Sequence, residues 1–394
     1  MRHIRDIVVV GAGPAGLCFA RALDGSDLTV AAVEKSPAEV LANPPFDARE
    51  IALTHPSRRL LSELGVWDLI PDEEKYRLRD ADVYDGMSDF KLHFPQPRKA
   101  LGEETDRLGY LAPNHLIRKA AYEAVKDQRA FDLMAGREVV GLSFTDRSVV
   151  AKLDDGDEIE ASLLVCADSR FSKTRQMAGV PADTHQFGRT VVCFRAKHEL
   201  PNESTANECF HYGRTLAILP LSEHLSSMVV TMDSDRIGKL LAMNDEQLAQ
   251  DIYAETKGRL GKIEIASERC VYPLVGVHAR RFYGRRVALI GDAAVGMHPV
   301  TAHGFNLGLM SVGSLSRLVR RERKMGRDVG SASMLAKYNV RHMARTRPLY
   351  HGTNFVVKLF TDERAPAKAM RRAVLRASNV CPPVKAIISK QLTG

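Results

Sequence analysis

An apolar strand, a glycine turn and a helix follow one another within the first 24 residues, and no other stretch constrains the chain as tightly. Ile7-Val8-Val9-Val10 has the composition of a buried strand. Gly11-Ala12-Gly13-Pro14-Ala15-Gly16 comes next, and Leu17-Cys18-Phe19-Ala20 continues at helical spacing. A second apolar strand, from Leu28 to Val33, runs into Glu34 and Lys35. This is a G-x-G-x-x-G pattern in a βαβ setting with an acid at the end of the second strand, the fingerprint of dinucleotide binding. Gly11 permits the tight turn, Gly13 lets a pyrophosphate approach the backbone, and Gly16 lets helix and strand pack closely. The free N–H groups of the helix start favour phosphate. Pro14 suits the first turn, where its missing N–H would have no partner. Glu34 stands where an acid accepts from a ribose 2′-OH.

A chain of 394 residues holds two domains of ordinary size. No apolar run reaches the length of a spanning helix, and the early first strand leaves no room for a signal peptide, so a cytoplasmic protein is expected. Cys18, Cys166, Cys193, Cys209, Cys270 and Cys381 are scattered without a C-x-x-C pair, which argues for reduced thiols and against a zinc site. Charge is uneven. From Ser316 onward 18 Lys and Arg stand against 4 Asp and Glu, a net of +14 that leaves −6 for residues 1–315. A basic tail suits an anionic surface, and equally suits solvated helix faces. Nucleic acid is disfavoured, because the tail carries no recognised nucleic-acid motif.

Asn43 to Asp47 reads as a loop, His55 to Leu64 as a helix ended by Gly65, and Asn114 as the N-cap of a helix to about Lys126. Strands fill roughly 138–166, and residues 183–270 alternate like antiparallel sheet, interrupted by a helix near Asp245–Lys257. Arg286 to Ile290 returns as a buried strand, and helices follow from Asn306. The expected fold class is α/β: a discontinuous Rossmann-like nucleotide unit (1–78, 110–182 and 270–349) with an inserted antiparallel substrate sheet (79–109 and 183–269), C-terminal helices and a basic helical tail (350–394).

Gly291-Asp292-Ala293-Ala294 follows that returning strand, and His298-Pro299 and Gly304-Phe305-Asn306-Leu307-Gly308 follow in turn. An acid at the carboxyl end of a buried strand can accept from a polyol hydroxyl, and a glycine loop opening a helix can stabilise negative charge. Alone, Gly291-Asp292 could be a plain turn with an Asp cap. Together the motifs resemble the class A flavoprotein aromatic hydroxylases, from the N-terminus to about residue 350. Closest is the branch that hydroxylates ubiquinone precursors. Ala48 to Thr54, Tyr272-Pro273-Leu274 and His298 to Asn306 look most like its 5-demethoxyubiquinol 5-hydroxylase subgroup.

That resemblance implies a para-hydroxybenzoate hydroxylase-like fold and resident FAD, bound by Gly11, Gly13, Ala15, Gly16, Glu34 and Lys35 at its ADP half. It places Arg49 near the flavin, Arg118 near the pyrophosphate and Asp292 on the ribityl chain or phosphate. Pro299, Gly304, Phe305 and Asn306 would pass the flavin ring. Leu163 to Asp168, with Ser172 and Arg175, matches a motif serving both FAD and the nicotinamide cofactor. Three departures stand out: Ser169 where glycine is usual, Ala302 and His303 where Gly and Gln are, and Ser311 where an acid is. His303 and Pro299 are the flavin-edge candidates, although His303 also reads as a packed loop histidine. Spacing of i,i+5 makes a metal site at His298 and His303 untenable.

With a single fingerprint, FAD would be resident and NAD(P)H a visitor. The implied reaction is ring hydroxylation of a polyprenylated phenol or quinol in ubiquinone biosynthesis, at C5, through a flavin C4a-hydroperoxide formed from O₂. No acid–base residue is legible; His185, His198, His211 and Tyr212 lie in the substrate sheet without a marked role. Basic-flanked apolar stretches at Asn354–Phe360 and Val384–Lys390 suggest peripheral docking at the inner membrane face, within an assembly of quinone-pathway proteins. The rival readings are a hydroxylase of a small soluble phenol, a geranylgeranyl-type reductase and a non-catalytic flavin-binding scaffold. A tryptophan halogenase is disfavoured, because Trp67 is the sole tryptophan and W-x-W-x-I-P needs two.

Overall fold

The computed structural model describes residues 1–86, 91–211, 213–298 and 303–362, with isolated positions 364, 366, 370, 371, 374 and 393 beyond them. Its first sheet is built on the Arg2–Val10 strand, which pairs in parallel with Val30–Glu34 on one side and Glu158–Cys166 on the other. Phe131–Ala135 and Val287–Leu289 extend the parallel part at either side. Ile7 to Val10 are buried because both faces of this sheet are covered, which is why the run is continuous rather than alternating. The Pro14–Arg21 helix packs between the His303–Lys324 and Asn114–Glu123 helices.

Among the described residues the second sheet has nine strands, antiparallel throughout its centre: Cys270–Ala279, Ala182–His198, Leu225–Asp233, Arg214–Pro220 and Thr205–His211. Thr205–His211 then pairs in parallel with Asp80–Asp85. The inserted sheet is thus antiparallel through its centre, as expected, with one parallel pairing toward its edge. The parallel partner arrives through a connection of over 100 residues, which alternation within either strand does not reveal. Cys270–Ala279, which the sequence pattern assigns to the nucleotide unit, is hydrogen-bonded into this sheet. Asn114 proves to be the first helical residue, preceded by Pro113 as cap, and its amide donates to Asp47 instead of to its own helix.

The Ala332–Thr361 helix runs unbroken through residue 350. At its end Val357, Leu359 and Phe360 are buried, and Leu359 and Phe360 pack with Leu92, Phe94 and Phe210 of the sheet. The Phe210 and Phe360 rings lie 4.4 Å apart. Arg371 is almost wholly buried and pairs with Asp85 at 3.0 Å. The apolar side of Asn354–Phe360 is therefore turned into the sheet rather than outward, Phe355 excepted. Val384–Lys390 lies outside the described residues. Among those described, no helix is long and apolar enough to cross a membrane.

Candidate functional site

Two of the three fingerprint glycines are enforced by backbone contact. Gly11 has φ +103°, and a Cβ there would stand 2.5 Å from the Ala167 carbonyl oxygen. A Cβ on Gly16 would lie 2.0 Å from the Gly11 carbonyl oxygen. Gly13 differs: its φ is −75°, and a Cβ there would meet nothing within 4 Å. It caps the Pro14–Arg21 helix, whose start receives no side-chain cap. The turn is thus held tight on two sides and open on the third, where the helix N–H groups emerge. That cradle fits a pyrophosphate and leaves no side chain in its path.

Glu34 closes the turn. Its Oε2 accepts from the Ala12 N–H at 2.8 Å and its Oε1 from the Ser36 N–H at 2.9 Å. A carboxylate has about four acceptor sites, so two remain for a ribose. Lys35 beside it is exposed. Ala15 lies under Gly291, where a Cβ on the glycine would come within 2.9 Å of the Ala15 methyl.

Asp168 sits against Gly11. Its carboxylate accepts from the Ser172 hydroxyl at 2.5 Å and the Thr174 N–H at 3.2 Å, so it is held as a loop organiser. Ser169 has φ +97°, a conformation that favours glycine. Ser169→Gly is expected to raise unfolding free energy by about 1 kcal/mol, measured by urea denaturation. An unchanged or lowered value would mean that the serine is not strained.

Sequence reasoning missed Arg170. Its guanidinium donates to Asp292 Oδ2 at 2.8 Å and to the Val275 carbonyl at 3.0 Å. It joins the Asp168 loop, the Asp292 turn and the second sheet, and no spacing in the chain marks it. Arg175 lies beneath, donating to the carbonyls of Arg170 and Ala293. Burial pushes its guanidinium pKa down, against the pull of Asp168.

Arg49 pairs with Asp47 at 2.6 Å and lies over the Tyr272 ring at 5.0 Å. Asp47 also accepts from the Asn114 amide at 2.6 Å, and the Tyr272 hydroxyl donates to the Asp47 carbonyl at 2.7 Å. The Arg118 guanidinium has no ion pair among the described residues. Asn306 accepts from the Thr54 N–H at 3.0 Å and donates to the Ala52 carbonyl at 2.8 Å, holding the Glu50–Leu53 strand. Phe305 packs against the core, and Gly304 stands open beside Met297. Ser311 accounts for its own departure: it accepts from the Gly291 N–H and donates to the Gly308 carbonyl, which a carboxylate could not do.

His303 is buried at the start of its helix. His298 is buried against Phe187, and burial with Arg189 nearby pushes it down to about 4, so it is neutral at pH 7. Pro299 and Tyr212 lie outside the described residues. His198 and His211 share the sheet face that packs on the Asp245–Glu255 helix, away from Arg49; His211 lies 3.5 Å from Glu255. His185 is exposed. The opposite sheet face presents Val191, Cys193, Val229 and Leu274, and Phe46 and Ala48 pack onto it.

Residues 5–345 match the family model described as an FAD binding domain. The chain is 54% identical to "Ubiquinone hydroxylase UbiM" of Neisseria meningitidis, covering 99% of this chain and 84% of that one. It is 31% identical to "Ubiquinone hydroxylase UbiL" of Rhodospirillum rubrum, over 99% and 90%. Among solved structures, p-nitrophenol 4-monooxygenase PnpA of Pseudomonas putida superposes with a TM-score of 0.78 at 19% identity, over 100% and 99% of the two chains, which establishes the fold.

Proposed function

The chain belongs to the FAD binding domain family and to its ubiquinone-hydroxylase branch, and from this we propose that it hydroxylates a polyprenylated phenol or quinol of ubiquinone biosynthesis at ring position C5. It is an FAD-dependent aromatic-ring monooxygenase, of a class that takes electrons from NAD(P)H. One arrangement carries the reading. Phe46 to Arg49 leaves the nucleotide unit and packs on the apolar sheet face, so the cofactor cradle and a water-poor surface share a wall.

Bound FAD supplies the activation of O₂. The chain's own residues bind, orient and exclude water. Gly13 and the first helix turn take the pyrophosphate, Glu34 the ribose, and Asp292, steadied by Arg170, a ribityl hydroxyl. Arg49, held by Asp47, brings positive charge to the shared wall. The apolar sheet face keeps water from the reacting ring.

The test is complementation of bacterial strains that each lack one ubiquinone ring hydroxylase, with quinones identified by mass spectrometry. Restored ubiquinone in the C5 mutant is the expected result. Restoration in another strain alone would move the ring position, and restoration in none would favour a small soluble phenol or a scaffold. Lipid contact is assigned to the basic segment 372–390, because Asn354–Phe360 faces the sheet. Flotation on anionic vesicles should carry the full chain and leave behind a chain ending at residue 371; equal partitioning would remove the assignment.

A further inference from the structure

The register of the nine-stranded sheet aligns one row of side chains across six strands: Val83, Glu208, Ala217, Val229, Cys193 and Cys270. Val229, Cys193 and Cys270 of this row belong to the apolar cluster on which Phe46 and Ala48 pack. The alternate residues Tyr84, Cys209, Leu216 and Val230 face the other way, into the core under the Asp245–Glu255 helix. Glu208 therefore stands on the same face, between that cluster and the one that Val83 and Phe210 form with Leu359 and Phe360. It is the carboxylate of an otherwise uncharged row.

Its surroundings give it nothing to bind. Val83 and Ala217 flank it laterally, Ala206 and Phe210 along its strand, and Thr215 and Leu219 diagonally. The Glu208 carboxyl makes no side-chain hydrogen bond or ion pair among the described residues. The nearest charged neighbour in the register, Asp85, is paired with Arg371. Burial alone pushes the Glu208 carboxyl up to about 8. Yet Glu208, Ala217, Val83 and Val229 are half-buried, so the row still borders space that a small molecule can enter. A carboxyl set among apolar side chains, held by no protein side chain and reachable from that space, is placed to take a hydrogen bond from a ligand that displaces water from the row.

Building on the reading of the substrate as a phenol or quinol, we propose that Glu208 is the residue of the sheet face that recognises the ring hydroxyl, by a hydrogen bond from its carboxyl. The apolar neighbours take the ring and the start of its prenyl chain. The residue selects free phenols and quinols over their ethers, because an ether leaves the carboxyl unsatisfied.

The test uses the FAD-loaded full chain with 2-methoxy-6-prenylphenol and its O-methyl ether, binding being read from the change in flavin fluorescence. Wild type is expected to prefer the phenol by about tenfold, the value of one well-made hydrogen bond. Glu208→Leu should erase that preference by weakening the phenol alone, with ether binding equal or tighter and the fold stabilised. Glu208→Gln, close in shape and still able to hydrogen-bond, should keep part of it. Wild-type preference that survives intact in both variants overturns the assignment while leaving the phenol reading in place. Failure of wild type to bind either compound overturns both.

Discussion

Gly16→Ala is expected to lower the unfolding free energy by about 3 kcal/mol or more and to yield protein without FAD, because the new methyl has no direction in which to relax. Its Cβ would stand 2.0 Å from the Gly11 carbonyl, and the helix backbone would have to shift away from the first strand. Gly13→Ala separates the two roles of the turn. Nothing lies within 4 Å of that Cβ, and φ is already −75°, so the fold should keep its stability. The methyl would occupy the space a pyrophosphate needs, and FAD affinity is expected to fall about 100-fold, or about 2.7 kcal/mol. Urea denaturation of the apoprotein and titration with FAD measure the two effects. Equal stability losses in both variants would show that the turn is not divided in this way.

Arg195→Leu should be the most damaging single change where the nine-stranded sheet packs on the small sheet formed by Glu50–Leu53, Gly109–Pro113 and Tyr76–Leu78. The Glu50 carboxylate is fully buried on the Glu50–Leu53 strand and receives the Arg195 guanidinium at 2.9 and 3.0 Å, which also reaches Glu74 at 3.1 Å. Removing the arginine strands that charge, at a cost of about 3–5 kcal/mol. The loss depends on pH, and its sign follows from Glu50. Burial pushes this carboxyl up to about 7 in the fold, against the pull of Arg195, while its ordinary value is 4.5. The stability that Glu50 contributes is therefore complete below pH 4.5 and lost as pH rises through 7. Without Arg195 the folded pKa moves higher still. The gap between variant and wild type should be smallest near pH 5, where Glu50 is protonated in both, and should widen above pH 7 by up to about 1.4 kcal/mol per unit. Denaturation at pH 5.5 and 8.5 tests this. Glu50→Leu in the Arg195→Leu background should recover most of the loss, since two apolar side chains leave no buried charge on this strand. A pH-independent loss would place the damage in packing instead.

Most of the nucleotide unit was legible in the chain because its constraints are local. Gly11, Gly13 and Gly16 act within one turn and one helix, and Glu34 binds the Ala12 N–H only 22 residues away. The period of each strand was legible for the same reason. What escaped were side-chain contacts between segments far apart in the chain. Arg170 meets Asp292 across 122 residues and Arg195 meets Glu50 across 145. In Ala206-Asn207-Glu208-Cys209-Phe210 the alternation says that Glu208 and Phe210 share a face, but not that this face is enclosed. Asn306 is an instructive case: a flavin-loop residue by resemblance, its amide is committed to Ala52 and Thr54. The apolar tail stretch is another, since amphipathic residues suited to lipid serve equally well against a sheet.

The sequence by itself determined that a strand, a tight glycine turn and a helix would present free N–H groups to a phosphate, because backbone sterics and strand period operate over a few residues. Only the tertiary structure decided which carboxylates find a protein partner. Glu50 is delivered to an arginine by the packing of one sheet on another, and Glu208 is delivered to an apolar row. Desolvation makes the first a strut between two sheets and leaves the second in want of a ligand.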